Sequence, residues 1–196
     1  MRRVFLLICV LAFAGTAFAG FSIGFKQTFV PTSVGSSGSV STEDMYLLRI
    51  GAMASPDFRI EGYLGYMKSS FELDPAVAAS KYDGSSMMFG AGGYYVIEAP
   101  ANTSFSFGAQ FLYGKSSYEV GGVDGPETTC WSLDPLMRID FAIPGAERLA
   151  FFTEYGIRYG KATTTVVEES VSVDYKWSGW QTYAPTNILA GAYFVF

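Results

Sequence analysis

The sequence predicts an all-β fold, eight antiparallel strands closed into an up-and-down transmembrane β-barrel. Three observations predict it. Segments of about ten residues with period-two alternation recur along the chain, separated by turn residues. The connections between them alternate strictly, long then short. The chain also finishes on an aromatic, alternating segment, with Ile188, Ala190, Ala192, Phe194 and Phe196 on one phase. In a strand, residues on one phase share a face of the sheet.

The first strand is read over Phe21 to Val30, with Phe21, Ile23, Phe25 and Phe29 opposite Ser22, Gly24, Lys26 and Thr28. A Ser/Gly-rich stretch after Pro31 reads as a flexible loop. The second strand, Asp44 to Ala54, sets Tyr46, Leu48, Ile50 and Ala52 against Met45, Leu47, Arg49 and Gly51. Ser55-Pro56-Asp57 is a tight turn. In the third strand Phe58, Ile60, Leu64 and Tyr66 oppose Arg59, Glu61, Tyr63 and Gly65. A long polar loop from Lys68 to Gly84 follows, and then a glycine-rich fourth strand, Ser86 to Ile97.

After a short turn at Ala99 to Asn102, the fifth strand sets Phe105, Phe107, Ala109, Phe111 and Tyr113 against polar and small residues. Gly114 to Thr128 reads as a third long loop. The sixth strand, about Thr129 to Ile143, places Asp134, Arg138 and Asp140 opposite its apolar phase, and Pro135 predicts a local bulge or bend. Pro144 to Glu147 is a short turn. The seventh strand sets Leu149, Phe151, Tyr155, Ile157 and Tyr159 against Phe152, Glu154 and Arg158. Thr163 to Trp177 reads as a projecting hairpin, and the eighth strand ends at Phe196, pairing with the first to remove both sheet edges.

The first 19 residues are a separate matter. Met1-Arg2-Arg3, the apolar run Val4 to Ala14 and the small-residue site Ala17-Phe18-Ala19 form the pattern of a cleaved secretory signal peptide. The run is shorter than the roughly 20 residues that span a bilayer as a helix. Residues 1–19 are therefore read as signal peptide and 20–196 as one barrel domain, with cleavage after Ala19. Past that point the chain keeps a single cysteine, Cys130, which excludes an intramolecular disulfide. The net charge of −5 becomes more negative once Arg2 and Arg3 leave, which argues against nucleic acid as a partner.

Alternation alone does not say which phase faces inward. The apolar phase is free of charge in the third, fifth and seventh strands, and its ends are aromatic: Tyr46, Tyr66, Tyr95, Tyr113 and Tyr159. That arrangement fits the interfacial girdles of a membrane barrel. The opposite phase combines small residues with charges, which suits a narrow interior. Arg49, Arg59, Arg138 and Arg158 fall there together with Glu61, Asp134, Asp140 and Glu154. An eight-stranded barrel has an interior just filled by side chains. The expectation is a lumen closed by Arg–carboxylate pairs, because unpaired charge in such confinement is costly.

With its aromatic terminus, eight alternating strands and short-long connections, the region from residue 20 onward resembles the small outer-membrane β-barrels of the OmpA- and OmpX-like type. With Phe196 closing the barrel, it is expected to be without the C-terminal domain of full-length OmpA. The resemblance implies that Ile188, Ala190, Ala192, Phe194 and Phe196 form the assembly signal. It also implies location in the cell outer membrane, with the barrel-assembly machinery, periplasmic chaperones, outer-membrane lipids and lipopolysaccharide as partners. A surface ligand would be met by loops 31–43, 68–84, 114–128 and 162–177. These carry an excess of carboxylates, which suits a solvated rim or shared divalent cations.

The chain has no histidine. The enzymes among outer-membrane barrels resemble one another in using an active-site His, and Ser/His/Asp or Cys/His arrangements and His-bearing zinc sites are equally excluded. Gly90-Ala91-Gly92-Gly93 lies within a strand with no Lys-Ser/Thr after it, so it is no phosphate loop. Cys130 reads as a small packing residue. The reading is a non-enzymatic barrel without cofactor or metal, structural or surface-interacting through its loops. Two other readings stand beside it: a narrow channel for small hydrophobic solutes of the OmpW-like kind, and a soluble periplasmic ligand-binding barrel.

Overall fold

A computed structural model describes residues 20–72, 81–100, 102–168, 171–182 and 189–196. Residues 1–19 and Ile188 lie outside these, and with them the expected signal peptide and the first residue of the expected assembly signal. The described chain is all strand and turn. Its strands are β1 (Ser22–Val34), β2 (Val40–Ser55), β3 (Phe58–Glu72), β4 (Lys81–Ala99), β5 (Thr103–Val120), β6 (Val123–Ile143), β7 (Ala146–Glu168), β8 (Val171–Thr182) and β9 (Leu189–Val195).

Every neighbouring pair is antiparallel. The sheet runs β6-β5-β4-β3-β2-β1-β9-β7-β8 and closes through β6–β7. β8 and β9 together form the eighth stave, because both pair with β7: β9 over Leu149–Glu154 and β8 from Ile157 onward. The seam is short, with β1 meeting β9 only from Ser22↔Val195 to Lys26↔Gly191. Among the described residues the first and last strands thus pair only along that lower part of the barrel, a shorter seam than the expected pairing over Phe21 to Val30. β8 pairs with β7 but not with β1 among the described residues.

The long connections also need correction, for strands occupy most of them. β1 and β2 pair up to Val34↔Val40 with a register shift between Pro31 and Ser33. The β3–β4 ladder continues to Glu72↔Lys81, and β7–β8 to Glu168↔Val171. β5–β6 continues to Val120↔Val123 across Gly121-Gly122, both at positive φ (59° and 84°). Two successive positive φ values are what a tight type I′ hairpin requires, and glycine adopts them without steric cost. These extensions escape period-two reading because much of their inward face is lined by small polar residues, Ser116, Thr128 and Thr164, which are buried without forming an apolar phase. The ladder needs only backbone groups, so Ser-, Thr- and Gly-rich sequence sustains it.

Pro135 produces no bulge. It pairs with Ala109 in unbroken register, and on the β7 side the ladder lapses between Leu133↔Tyr159 and Leu136↔Gly156 without a shift. The missing N–H is absorbed by that lapse.

The outer surface carries Phe25, Tyr46, Leu64, Tyr66, Phe89, Tyr95, Phe107, Phe111, Leu133, Ile157 and Phe194, all well exposed. Aromatic rings cluster toward both ends of the belt. Trp131, Tyr159 and Trp180 stand in series near the long hairpins, with ring centroids 5.8 and 5.1 Å apart. Near the short turns Phe141 stacks on Phe151 at 5.9 Å, and Phe21 meets Phe196 at 5.8 Å. A continuous exposed apolar belt with aromatic rims is the surface that faces hydrocarbon.

Candidate functional site: the barrel interior

The inward phase places eight charged residues of β2, β3, β6 and β7 inside the ring, each at most 6% exposed: Arg49, Arg59, Glu61, Asp134, Arg138, Asp140, Glu154 and Arg158. Glu61 is the hub. Its Oε1 pairs with Arg49, lies 2.6 Å from Arg138 Nη1 and 2.9 Å from Arg59 Nε. Its Oε2 accepts from the Tyr63 hydroxyl at 2.6 Å. Arg59 reaches on to Asp140 at 3.2 Å, and Arg138 to Glu154 at 3.4 Å.

The guanidinium faces are covered as well as the edges. Arg138 Cζ lies 3.8 Å from the centroid of the Phe152 ring, and Arg49 Cζ lies 4.1 Å from that of Tyr193. Stacking on aromatic faces is a property of the planar guanidinium that a lysine in its place would not reproduce.

A second group lies toward the long hairpins. Arg158 Nη2 donates to Asp134 at 2.8 Å, and Gln110 donates to the same carboxylate at 2.9 Å. Gln110 Oε1 accepts from Tyr94 at 3.3 Å, and the Tyr94 hydroxyl meets that of Tyr63 at 2.7 Å. The chain Asp134–Gln110–Tyr94–Tyr63–Glu61 thus joins the two charge groups into one network. Tyr94 fits because Gly92 and Gly108 sit beneath it: a Cβ at either would come within 2.8 Å of its side chain.

Period-two reading of the charges missed Lys26. Its ammonium is fully buried, pairs with Glu154 and donates to Gln110. The signal was present, since Lys26 shares the phase of Ser22, Gly24 and Thr28, but the charge count omitted it. The interior therefore holds five cations and four carboxylates among the described residues. Gln110, Tyr63 and Tyr94 were missed for a different reason: as neutral residues on the inward phase they look like filling, and only the shear of the barrel shows what they join.

Above the network lies an apolar layer of Val30, Val34, Met45, Leu47, Met88, Leu112, Cys130 and Ala162, with Trp177 packed against it. The upper half of β1 reaches into this layer. Beyond Lys26 it leaves β9 and leans across the ring, and side chains of the far wall satisfy its backbone. Arg158 donates to the Phe29 carbonyl at 3.1 Å, Thr128 to that of Thr32 at 2.8 Å, and Ser116 to that of Pro31 at 3.4 Å. The Val34 N–H donates to Thr164 Oγ1 at 2.7 Å. Buried backbone groups need such partners, and here side chains of β5, β6 and β7 replace a neighbouring strand.

At the short-turn end the interior is open, as a recess of about 450 Å³ whose lining includes Ser104, Asp140 and Tyr193. Of the remaining C-terminal positions, Ala190 and Phe194 face outward with Phe196, Ala192 is partly covered, and Leu189 and Tyr193 point inward. No group of three or more His, Cys, Asp or Glu side chains with metal-holding geometry occurs among the described residues.

No family model matches the chain, and no curated protein matches it in sequence. Solved structures do match. A major outer membrane protein from Thermus thermophilus aligns with 90% of this chain and 98% of its own at 13% identity, with a TM-score of 0.50. Neisserial surface protein A aligns at 17% identity over 91% of this chain and 97% of its own, with a TM-score of 0.47. Ail, the attachment invasion locus protein of Yersinia pestis, aligns at 13% identity over 90% and 97%, with a TM-score of 0.45. At such identities the likeness concerns the fold, and the fold of this chain is that of the small eight-staved outer-membrane β-barrels.

Proposed function

We propose that this chain is a non-enzymatic integral outer-membrane barrel whose lumen is plugged, and whose role is structural or surface-interacting through the hairpins at its long-connection end. The observation that carries the reading is the double closure of the interior. A charge network centred on Glu61 fills the middle, and the upper half of β1 lies across the apolar layer above it. A solute would have to break several buried ion pairs and then displace Val30 and Val34, which are at most 3% exposed. What remains for contact with the outside is the set of projecting hairpins.

Delivery belongs to the same proposal. Residues 1–19 act as a signal peptide cleaved after Ala19, and the C-terminal positions through Phe196 are read by the barrel-assembly machinery after passage with periplasmic chaperones. The partners on arrival are outer-membrane lipids, lipopolysaccharide and a surface ligand at the hairpins. Single-channel recording in planar bilayers tests the plug. The wild-type protein should hold a flat baseline, while Arg138→Ala, which opens the middle of the network, should leak. Steady wild-type openings that change size with Arg138→Ala would establish the channel reading instead.

A further inference from the structure

A recess of about 140 Å³ opens among the long hairpins, beyond the apolar layer that covers the charge network. The inward face of β3–β5 forms one wall. Register places Met67, Ser86 and Ser116 side by side there, followed along the strands by Ser69, Gly84 and Tyr118, and then by Tyr82 opposite Val120. Met67 packs on the apolar layer and makes the floor. Thr32 of β1 and Glu43 of β2 line the other side.

The direction of the hydroxyl protons decides what this recess accepts. Ser116 Oγ donates to the Pro31 carbonyl at 3.4 Å, and Ser86 Oγ therefore donates to Ser116 at 3.0 Å. Thr32 Oγ1 donates to the Ser41 carbonyl at 3.3 Å. A hydroxyl carries one proton and two lone pairs. With these three protons held by the protein, Thr32, Ser86 and Ser116 have only lone pairs to offer, and the Glu43 carboxylate adds further acceptors. Ser86 and Ser116 are at most 5% exposed, so the sheet fixes their positions.

That chemistry excludes several ligand classes. A phosphate, sulfate or carboxylate needs donors, and among the described residues the lining holds no lysine or arginine. Calcium takes about six to eight oxygens, several of them from carboxylates, whereas Glu43 is the single carboxylate of this lining. An acyl chain would bury hydroxyls and a carboxylate without partners, which is costly. A neutral ligand rich in O–H donors fits.

Tyr82 and Tyr118 narrow the class. They are diagonal neighbours on one face, since Tyr118 lies opposite Gly84, two residues from Tyr82. Both stand partly open to solvent, at 39% and 38% exposure. A tyrosine offers a rigid apolar face and a polar tip at low entropic cost. A pyranose ring complements the whole set, with C–H groups on one face for the aromatic rings and hydroxyls at its edge for the acceptors.

We propose that this recess binds a neutral sugar unit of a surface glycan. The sugar hydroxyls donate to Glu43, Ser86 and Thr32, and its C–H face lies against Tyr82 and Tyr118. The proposal rests on the surface-interaction reading given above and supplies it with a ligand class and a place.

The test uses the full barrel in fluorescently labelled phosphatidylcholine nanodiscs, applied to a printed array of neutral, sialylated and sulfated glycans. Binding should be confined to neutral glycans. The strongest neutral hit is then titrated as a free oligosaccharide. A hydrogen bond to a charged acceptor is worth about tenfold or more in affinity, so Glu43→Gln should bind at least about tenfold more weakly. Tyr82→Ala should weaken binding as well, while Glu147→Gln, at the short-turn end, should bind as the wild type does. Heat-modifiable gel mobility shows that each variant is folded. The proposal is overturned if no neutral glycan binds, if acidic glycans are preferred, or if folded Glu43→Gln and Tyr82→Ala keep full affinity. Acidic glycans held equally well by Glu43→Gln would leave the surface role standing at another place. Failure of the wild type to enter nanodiscs would instead remove the membrane reading itself.

Discussion

Glu61 Oε1 accepts a 2.6 Å hydrogen bond from Arg138 Nη1 across the barrel interior, from β3 to β6, and both side chains are fully buried. The same oxygen serves Arg49 and Arg59. One carboxylate thus bridges three guanidinium groups, a concentration of dependence that makes it a vulnerable interior position.

Glu61→Gln keeps the shape of the side chain and removes its charge, taking the shared carboxylate from Arg49, Arg59 and Arg138 and leaving Asp140 and Glu154 to pair with the last two. Breaking one partner of a buried pair costs about 3–5 kcal/mol, and a hub should fall at the upper end. Urea unfolding in detergent micelles, followed by loss of heat-modifiable gel mobility, should show that drop. A midpoint within error of the wild type would mean that the network contributes little to stability.

Arg158 links Asp134 to the backbone of β1, donating to Thr28 Oγ1 at 3.2 Å as well as to the Phe29 carbonyl. Arg158→Ala should release the upper half of β1 while leaving its β9 pairing intact. Amide hydrogen exchange by NMR should quicken from Thr28 to Val34 and stay slow from Ser22 to Lys26. Uniform change along β1 would argue that the strand responds as a unit and is not pinned from the far wall.

Gly24 lies on the seam, where a Cβ would fall 2.1 Å from the Ala192 carbonyl oxygen and 2.5 Å from Tyr193 Cα. Both are backbone atoms and cannot swing aside. Gly24→Val should therefore obstruct the β1–β9 closure, and barrel yield on refolding into micelles should fall severalfold. Gly62→Val, whose Cβ meets nothing within 4 Å, is the matched control and should refold like the wild type.

The Phe196 N–H donates to the Phe21 carbonyl at 2.9 Å, and the two rings pack against each other. Deleting Phe196 removes both contacts and the terminal aromatic of the proposed assembly signal. Outer-membrane levels of the truncated chain, measured by fractionation and immunoblot, should drop while refolding into micelles in vitro persists. Loss in both settings would assign Phe196 to stability alone.

The inward residues Arg49, Arg59, Glu61, Asp134, Arg138, Asp140, Glu154 and Arg158 were legible as a group because alternation is local: a strand sends every second side chain to the same face whatever surrounds it. The same property made Lys26 available to the eye, whereas the extended hairpins escaped it, since polar residues such as Ser116, Thr128 and Thr164 line their buried face and leave no apolar phase to read. Partner choice within the group was not legible. Which arginine meets Glu61 depends on how far each strand is staggered against the next, and no single strand carries that information.

By itself, then, the sequence determined the eight staves of the ring, the apolar outer face and the charged inner one, for these follow from the pattern of each segment taken alone. Only the tertiary structure decided that β1, still paired with β2, departs from β9 beyond Lys26 and leans across the ring, and that β8 and β9 both pair with β7. The crossing depends on contacts between residues 129 and 130 positions apart, Arg158 with Phe29 and Val34 with Thr164. The physical reason is closure. Once the ring is complete, the interior must be filled and every buried backbone group satisfied, and side chains from β5, β6 and β7 meet that demand where strand pairing stops.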